Sequence, residues 1–74
     1  MSKPIMAEVV IEDRILNTEE QIFYGTLIEA YRKWKKYNSE HPFGPEGVLR
    51  YEQPDGTMVV WGTGGHYTYK EVLR

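Results

Sequence analysis

The sequence contains no cysteine, which excludes disulfide bridges and cysteine-ligated zinc as sources of stability. A chain of this size buries only about 60% of the surface that it exposes when unfolded, so crosslinks, metals or oligomerisation commonly support the fold. The 74 residues are therefore expected to form a single domain, residues 1–74, around a thin core. Two Trp, six Tyr and two Phe can supply that core, because each aromatic ring removes a large apolar area from water.

Long apolar runs are absent as well. No continuous stretch approaches the roughly 20 apolar residues that a membrane-spanning helix needs. The start, Met1-Ser2-Lys3-Pro4, leads into an alternating pattern and not into the apolar segment of a signal peptide. We therefore expect a cytoplasmic protein with no membrane partner.

Clusters of metal ligands or catalytic groups are also missing. The two histidines, His41 and His66, lie far apart in the chain, whereas a metal site needs several ligands at close spacing. The hydroxyl groups of Ser39, Thr63 and Thr68 show no spacing that would hold a nucleophile beside a base. We expect no metal, no cofactor and no catalytic residue, and hence a protein that is not an enzyme.

The longest periodic stretch is Thr18 to Asn38, and it predicts a helix. Its apolar residues recur at spacings of four, three, four and three and so form one stripe: Phe23, Leu27, Ala30, Trp34 and Tyr37. Three further residues widen the stripe on one side: Tyr24, Ile28 and Tyr31. Thr18-x-x-Gln21 has the form of a capping box and predicts the start of the helix at Thr18. Ile15 and Leu16, just before it, are expected to pack as a staple under the first turn.

Alternation and turn residues predict the strands. Residues 5–13 alternate apolar and polar side chains, as a strand with one buried face does. Residues 48–53 and 57–62 flank Pro54-Asp55-Gly56, which is typical of a hairpin loop. This register places Tyr51 opposite Val59, and Leu49 opposite Trp61. These four residues share one apolar face, which we expect the helix stripe to cover.

The end of the chain allows two interpretations. Gly64-Gly65 favours a tight turn into a last strand, in which Tyr67 lies opposite Gly62 and Tyr69 opposite Val60. Alternatively, Thr68-x-x-Glu71 caps a short closing helix. The alternation of residues 66–70 favours the strand.

These elements predict an α+β fold. One long helix packs on a small, mostly antiparallel sheet of three to four strands, in the chain order β-α-β-β followed by the last strand or short helix. One helix covers only one face of a sheet, so the other face is left to water or to a partner.

The second face carries an unusual number of apolar residues with charged neighbours, a combination typical of interaction sites. Its apolar members are Met6, Val10, Met58, Val60, Tyr67 and Tyr69, and its charged rim is Glu8, Glu12, Arg50 and Glu52. The sequence thus predicts a small non-catalytic protein-interaction module that occludes a partner's surface. Inhibitors and regulators carried by phages and other mobile elements have this size and charge. The partner is a protein of unknown identity or, in a homodimer, a second copy.

A basic stretch within the predicted helix suggests a second function. Arg32, Lys33 and Lys36 lie on the arc opposite the apolar stripe and predict weak contact with a nucleic-acid backbone. The aromatic residues of the same stretch lie on the buried arc, so rings and cations are not expected to meet one ligand together. The net charge of −2 also disfavours nucleic acid as the partner.

Overall fold

The computed structural model of the chain describes residues 4–13, 15–42, 44–63 and 68–73. Within these ranges the chain forms five strands and one helix: β1 (Met6–Asp13), β2 (Thr18–Thr26), α1 (Leu27–Glu40), β3 (Glu46–Glu52), β4 (Met58–Thr63) and β5 (Thr68–Leu73). The α+β class is confirmed, but the sheet has five strands where three to four were predicted.

The sheet is entirely antiparallel, with the strand order β2-β1-β3-β4-β5. After the β1–β2 hairpin, α1 carries the chain from an edge strand back to the middle of the sheet, where β3 pairs with β1. The helix packs on β1, β2 and β3. We call the face that it covers the helix side, and the opposite face the outer face.

The predicted helix start at Thr18 is wrong, because residues 18–26 form a strand that pairs with β1. Aromatic and β-branched residues in this segment favour an extended backbone. The helix begins instead after Thr26, which is its N-cap in a capping box. The Thr26 hydroxyl accepts a hydrogen bond from the Glu29 amide at 3.4 Å, and the Glu29 carboxylate accepts one from the Thr26 amide at 3.4 Å. Phe23, paired with Val9 across β1 and β2, still packs against the predicted core.

In the turn between β1 and β2, the predicted packing of Ile15 and Leu16 as a staple is wrong. Ile15 and Leu16 are 95% and 69% exposed. The Asp13 carboxylate accepts hydrogen bonds from both of their amides, at 3.0 and 3.1 Å, and Asn17 adopts a positive φ of 53°. The two side chains are not buried, because no helix begins at this point.

The β3–β4 hairpin is confirmed in position and register. Leu49 pairs with Trp61, and Tyr51 pairs with Val59. Gly56 has a φ of +87°, which a residue without a side chain adopts at little cost. The register follows from this local turn chemistry, so a single sequence was enough to predict it.

The last element is a strand, as the alternation favoured, but its register differs by two residues. Gly62 pairs with Tyr69, and Val60 pairs with Glu71. Four residues, 64–67, separate the paired positions Thr63 and Thr68, where two were expected. Tyr69 therefore pairs with Gly62 and not with Val60 as predicted, and Tyr67 lies outside the described residues.

The core lies between α1 and the sheet and centres on Trp34, which is 1% exposed. The Trp34 indole donates a hydrogen bond to the Gly47 carbonyl at 2.7 Å. At Gly47 a Cβ atom would lie 2.7 Å from Cδ1 of Tyr37, so only glycine allows the helix to approach β3 this closely. Ala7, Val9, Ala30 and Leu49 complete the buried cluster.

Candidate interaction surface

The residues predicted to bind a partner on the outer face have unequal access to solvent. Met58 is 37% exposed, and Glu52 is also exposed, while Val60 and Arg50 are half-buried. Val10 is only 1% exposed and offers almost no surface to a partner. Glu52 and Met58 pair across the sheet, and the same face places Arg50 opposite Val60.

A polar network covers the middle of the outer face. The Arg50 guanidinium group contacts the carboxylates of Glu8 and Glu19, each at 2.7 Å, and the Gln21 amide donates to Glu8 at 2.6 Å. Burial of the guanidinium group opposes its charge, but the hydrogen bonds to Glu19 and Glu8 outweigh this and raise the pKa of Arg50. Because Arg50 reaches from β3 to β2, its side chain crosses over β1 at the level of Val10.

The cations predicted to meet nucleic acid are all exposed on α1, but they point toward different flanks of the helix. The Lys33 ammonium lies 5.9 Å from the ring centroid of Phe23 on the β2 side. Arg32 lines a groove on the opposite side. Lys36 is exposed between them. The three cations therefore divide between two flanks of α1.

A groove that the sequence did not predict opens on the helix side, between α1 and the hairpin of β3 and β4. It has a volume of about 410 Å³, within the range of roughly 300–1,000 Å³ typical of ligand pockets. Its walls are mostly apolar: Leu27, Ile28, Tyr31 and Arg32 from the helix, with Leu49, Tyr51 and Trp61 from the sheet.

The groove exists because one helix is too narrow to cover five strands. Helix α1 packs on the β2-β1-β3 part of the sheet, so the helix side of β4 and β5 is covered less. Ile28 is 67% exposed and Tyr31 is 43% exposed on the flank of the helix that faces this region. Val72 of β5, paired with Val59, is 53% exposed on the same face.

The aromatic floor of the groove is fixed by its own contacts. Trp61 packs edge-on against Trp34, with ring centroids 6.2 Å apart, and its indole donates a hydrogen bond to the Tyr51 hydroxyl at 3.4 Å. Tyr31 also contacts Trp34, with centroids 5.7 Å apart. Rings held in this way lose little further conformational entropy when a partner binds.

Positive charge surrounds this apolar floor. The Lys70 ammonium lies 5.5 Å from the Trp61 ring centroid, the Lys35 ammonium lies 5.9 Å from that of Tyr31, and Arg32 lines the wall. The acidic residues of β3 and β5 are on the other face, because their register pairs them with outer-face residues: Glu46 with Glu12, Glu52 with Met58, and Glu71 with Val60. The sheet thus separates the acidic residues of β3 and β5 from the cations of the groove. On α1, Glu29 attracts Arg32 from three residues earlier in the helix.

The titratable groups of the described chain whose pKa is shifted do not line the groove. Hydrogen bonds from Thr26 lower the pKa of Glu29, and those from Thr57 lower the pKa of Asp55. Burial raises the pKa of Tyr37. The groove therefore offers hydrophobic contact and positive charge, and its lining holds none of these groups for proton transfer.

Within the described ranges, no three His, Asp or Glu side chains come together as a metal site would require. His41 stacks on Tyr37, with ring centroids 4.3 Å apart, and its Nδ1 lies 3.0 Å from the Tyr37 carbonyl oxygen. His66 lies outside the described residues. In the same ranges, no helix combines the length and the apolar character needed to cross a membrane.

Comparisons with protein-family models, with curated proteins and with solved structures find no match to this chain. Its function must therefore be argued from its own surfaces.

Sequence reasoning assigned most of the groove residues to the buried core. Ile28 and Tyr31 were recognised as a widening of the apolar stripe, and that width was the available signal. A stripe that extends beyond the surface the sheet can cover leaves one flank in water. The sequence did not show which flank, because that depends on where α1 crosses the sheet.

Proposed function

We propose that the chain is a small non-catalytic protein-interaction module that acts as an inhibitor or regulator by occupying a partner's surface. The observation that carries this proposal is the groove between α1 and the β3–β4 hairpin, where exposed apolar side chains meet a fixed aromatic floor. Exposed apolar patches rimmed by charge are typical of interaction sites. Tyr, Trp and Arg, which all line this groove, are the residues that most often dominate binding energy.

The groove supports this function better than the outer face does. At the centre of the outer face, Val10 is buried and Arg50 is engaged with two carboxylates, so a partner would have to displace an existing network there. The exposed apolar residues of that face, Met6, Met58 and Leu73, lie at the ends of their strands. In the groove, Ile28 presents two thirds of its surface to solvent. Covering it removes apolar area from water without breaking an ion pair.

The experiment compares two single substitutions on opposite faces. Ile28→Asp places a charge in the groove wall, and the matched control Met58→Asp places the same charge on the outer face. Each variant and the unchanged protein serve as bait for affinity capture from a lysate of the source organism, followed by mass spectrometry. Light scattering on the purified proteins tests a homodimer, and thermal melting verifies folding.

We expect Ile28→Asp to lose the specific partner, or the dimer, while Met58→Asp retains it. The reverse result would return the binding site to the outer face. Capture that survives both substitutions in folded proteins would refute binding at the groove.

A further inference from the structure

Resting on the proposed function, we propose that the groove binds an acidic segment of a partner protein, with an aliphatic or aromatic side chain as its anchor. The anchor enters the cleft between Ile28 and Trp61, and the carboxylates of the segment meet the cations at the rim.

Charge complementarity identifies the segment as acidic. The whole chain is acidic, with eleven Asp and Glu against nine Lys and Arg. Yet the groove is bordered by Arg32, Lys35 and Lys70, and the register turns Glu52 and Glu71 to the other face. A basic site on an acidic protein attracts acidic ligands and repels basic ones.

The positions of the lysines strengthen this argument. The ammonium groups of Lys35 and Lys70 lie over the rings of Tyr31 and Trp61, so cation–π attraction favours keeping them at the edge of the groove. A carboxylate that arrives beside an apolar anchor therefore finds its partner cation close to the binding position. Less side-chain entropy is lost on binding than with freely moving lysines.

The size of the groove favours an anchored segment over a large flat contact. A volume of about 410 Å³ accepts one or two side chains, in the way that a small pocket receives the anchor of a recognition peptide. Specificity would then come from the acidic residues that flank the anchor.

Single-stranded nucleic acid, which also combines negative charge with flat rings, fits less well. Bases bind such surfaces by stacking on free aromatic faces. A stacked base and an apolar anchor would both share these rings with Lys70 and Lys35, so the number of cations, and not the rings, distinguishes the two ligands. Three cations give only weak and salt-sensitive attraction to phosphates.

The test uses a displayed library of random peptides, each about twelve residues long, selected on the full chain. Enriched peptides are synthesised, labelled and titrated by fluorescence anisotropy. Each is also made with its acidic residues replaced by the corresponding amides. A single-stranded oligothymidylate is titrated in parallel.

Two matched double variants locate the charge dependence. Arg32→Glu with Lys70→Glu reverses two cations of the groove. Lys33→Glu with Lys36→Glu reverses two cations elsewhere on α1 and changes the net charge of the chain by the same amount. Ile28→Asp blocks the groove itself.

We expect the enriched peptides to carry an apolar anchor beside acidic residues. Amide replacement and the groove double variant should each weaken binding about tenfold, because both remove charge pairs at the rim. The control double variant should leave affinity within about twofold at moderate salt, because its cations lie farther from the ligand and are screened. Ile28→Asp should abolish binding.

The failures are distinguishable. Peptides that need Ile28 but bind equally well as amides overturn the acidic segment and leave the proposed function standing. Peptides that ignore Ile28→Asp contradict the groove as the binding site. A library that yields no enriched peptide, or oligothymidylate binding that the groove double variant removes, also overturns the acidic segment.

Discussion

On the helix side of the sheet, Val9 and Leu49 lie beneath α1, whereas Val10 and Val48 pair across β1 and β3 on the outer face, opposite the helix. All four are almost completely buried. The helix excludes water with apolar groups, among them the indole of Trp34. The outer face carries an ion-paired network instead: the carboxylates of Glu8 and Glu19 hold the Arg50 guanidinium group, and we infer that the aliphatic part of Arg50 shields Val10 from water.

The comparison shows why apolar composition alone is a poor guide to a binding surface. The outer face has apolar residues of two kinds: Val10 and Val48 at its centre are buried, whereas Met6, Met58 and Leu73 at the ends of their strands are exposed. A second exposed apolar surface lies beside the helix, where Ile28 and Tyr31 extend past the part of the sheet that α1 covers. The exposure of an apolar residue therefore depends on the position of the helix and of the neighbouring side chains.

The largest expected effect comes from truncating Trp34, the buried aromatic residue of α1. Trp34→Ala should lower the free energy of unfolding by about 3–5 kcal/mol, because truncating a buried aromatic residue leaves a cavity. Chemical denaturation measures this. Tyr24, an aromatic residue that is 61% exposed, provides the control, and Tyr24→Ala should change stability by less than about 1 kcal/mol.

A loss of this size can leave a small domain unfolded, so Trp34→Phe provides a second measurement. Phenylalanine keeps most of the apolar volume and removes the indole donor to Gly47, and the carbonyl keeps its hydrogen bond from Asn38 at 3.3 Å. We expect a loss of about 1–2 kcal/mol. Equal stability of Trp34→Phe and the unchanged protein would contradict the role of this hydrogen bond.

The Arg50 network on the outer face should contribute less to the free energy of unfolding. Arg50→Ala should cost about 1–2 kcal/mol, part from the ion pairs and part from exposure of Val10, which we infer that the side chain shields. Arg50→Met separates these contributions, since methionine retains an aliphatic chain without the charge. If the side chain acts mainly as a cover, Arg50→Met will recover most of the loss. Denaturation at low and high salt measures the contribution of the ion pairs. If Arg50→Ala lowered the free energy of unfolding as much as Trp34→Ala does, the comparison between the two faces would be refuted.

Much of the sheet could be predicted from the sequence because its signals are local. Alternation predicted β1, and the loop Pro54-Asp55-Gly56 predicted both strands of the β3–β4 hairpin and their register. The number of strands was underestimated, because residues 18–26 carry a helical spacing of apolar groups and also a strand-like composition. Pairing with β1 decides between the two, and such a contact between separate segments is not encoded in a local window.

The groove could not be predicted for a related reason. The wall of the groove forms because α1 starts at residue 27 and crosses β1 and β3. A prediction that starts the helix at residue 18 therefore places the helix surface wrongly on the sheet. Residues 28 and 31 were visible as a flank of the stripe, but Trp61 was assigned to a covered sheet face. Only the strand order reveals that β4 and β5 extend beyond the helix.

The smallest expected effect tests which capping box the chain uses, since Thr18-x-x-Gln21 and Thr26-x-x-Glu29 both have the required form. Thr26→Ala should lower the free energy of unfolding by about 1 kcal/mol, because the first turn of α1 loses its cap. Thr18→Ala is the matched control, and it should cost no more than about 0.5 kcal/mol, as an exposed strand residue does. A larger loss at Thr18 would contradict the observed helix start.

The same cap predicts a dependence on pH. Hydrogen bonds from Thr26 lower the pKa of Glu29 in the folded state, so the stabilisation is present above the unfolded pKa and is lost as the pH falls through the lower, folded value. The difference in unfolding free energy between the unchanged protein and Glu29→Gln should therefore shrink in acid. Because Glu29 is exposed, salt should weaken only the charge-dependent part of this difference. A difference in unfolding free energy that stays constant down to acidic pH would show that the Glu29 carboxylate does not cap the helix.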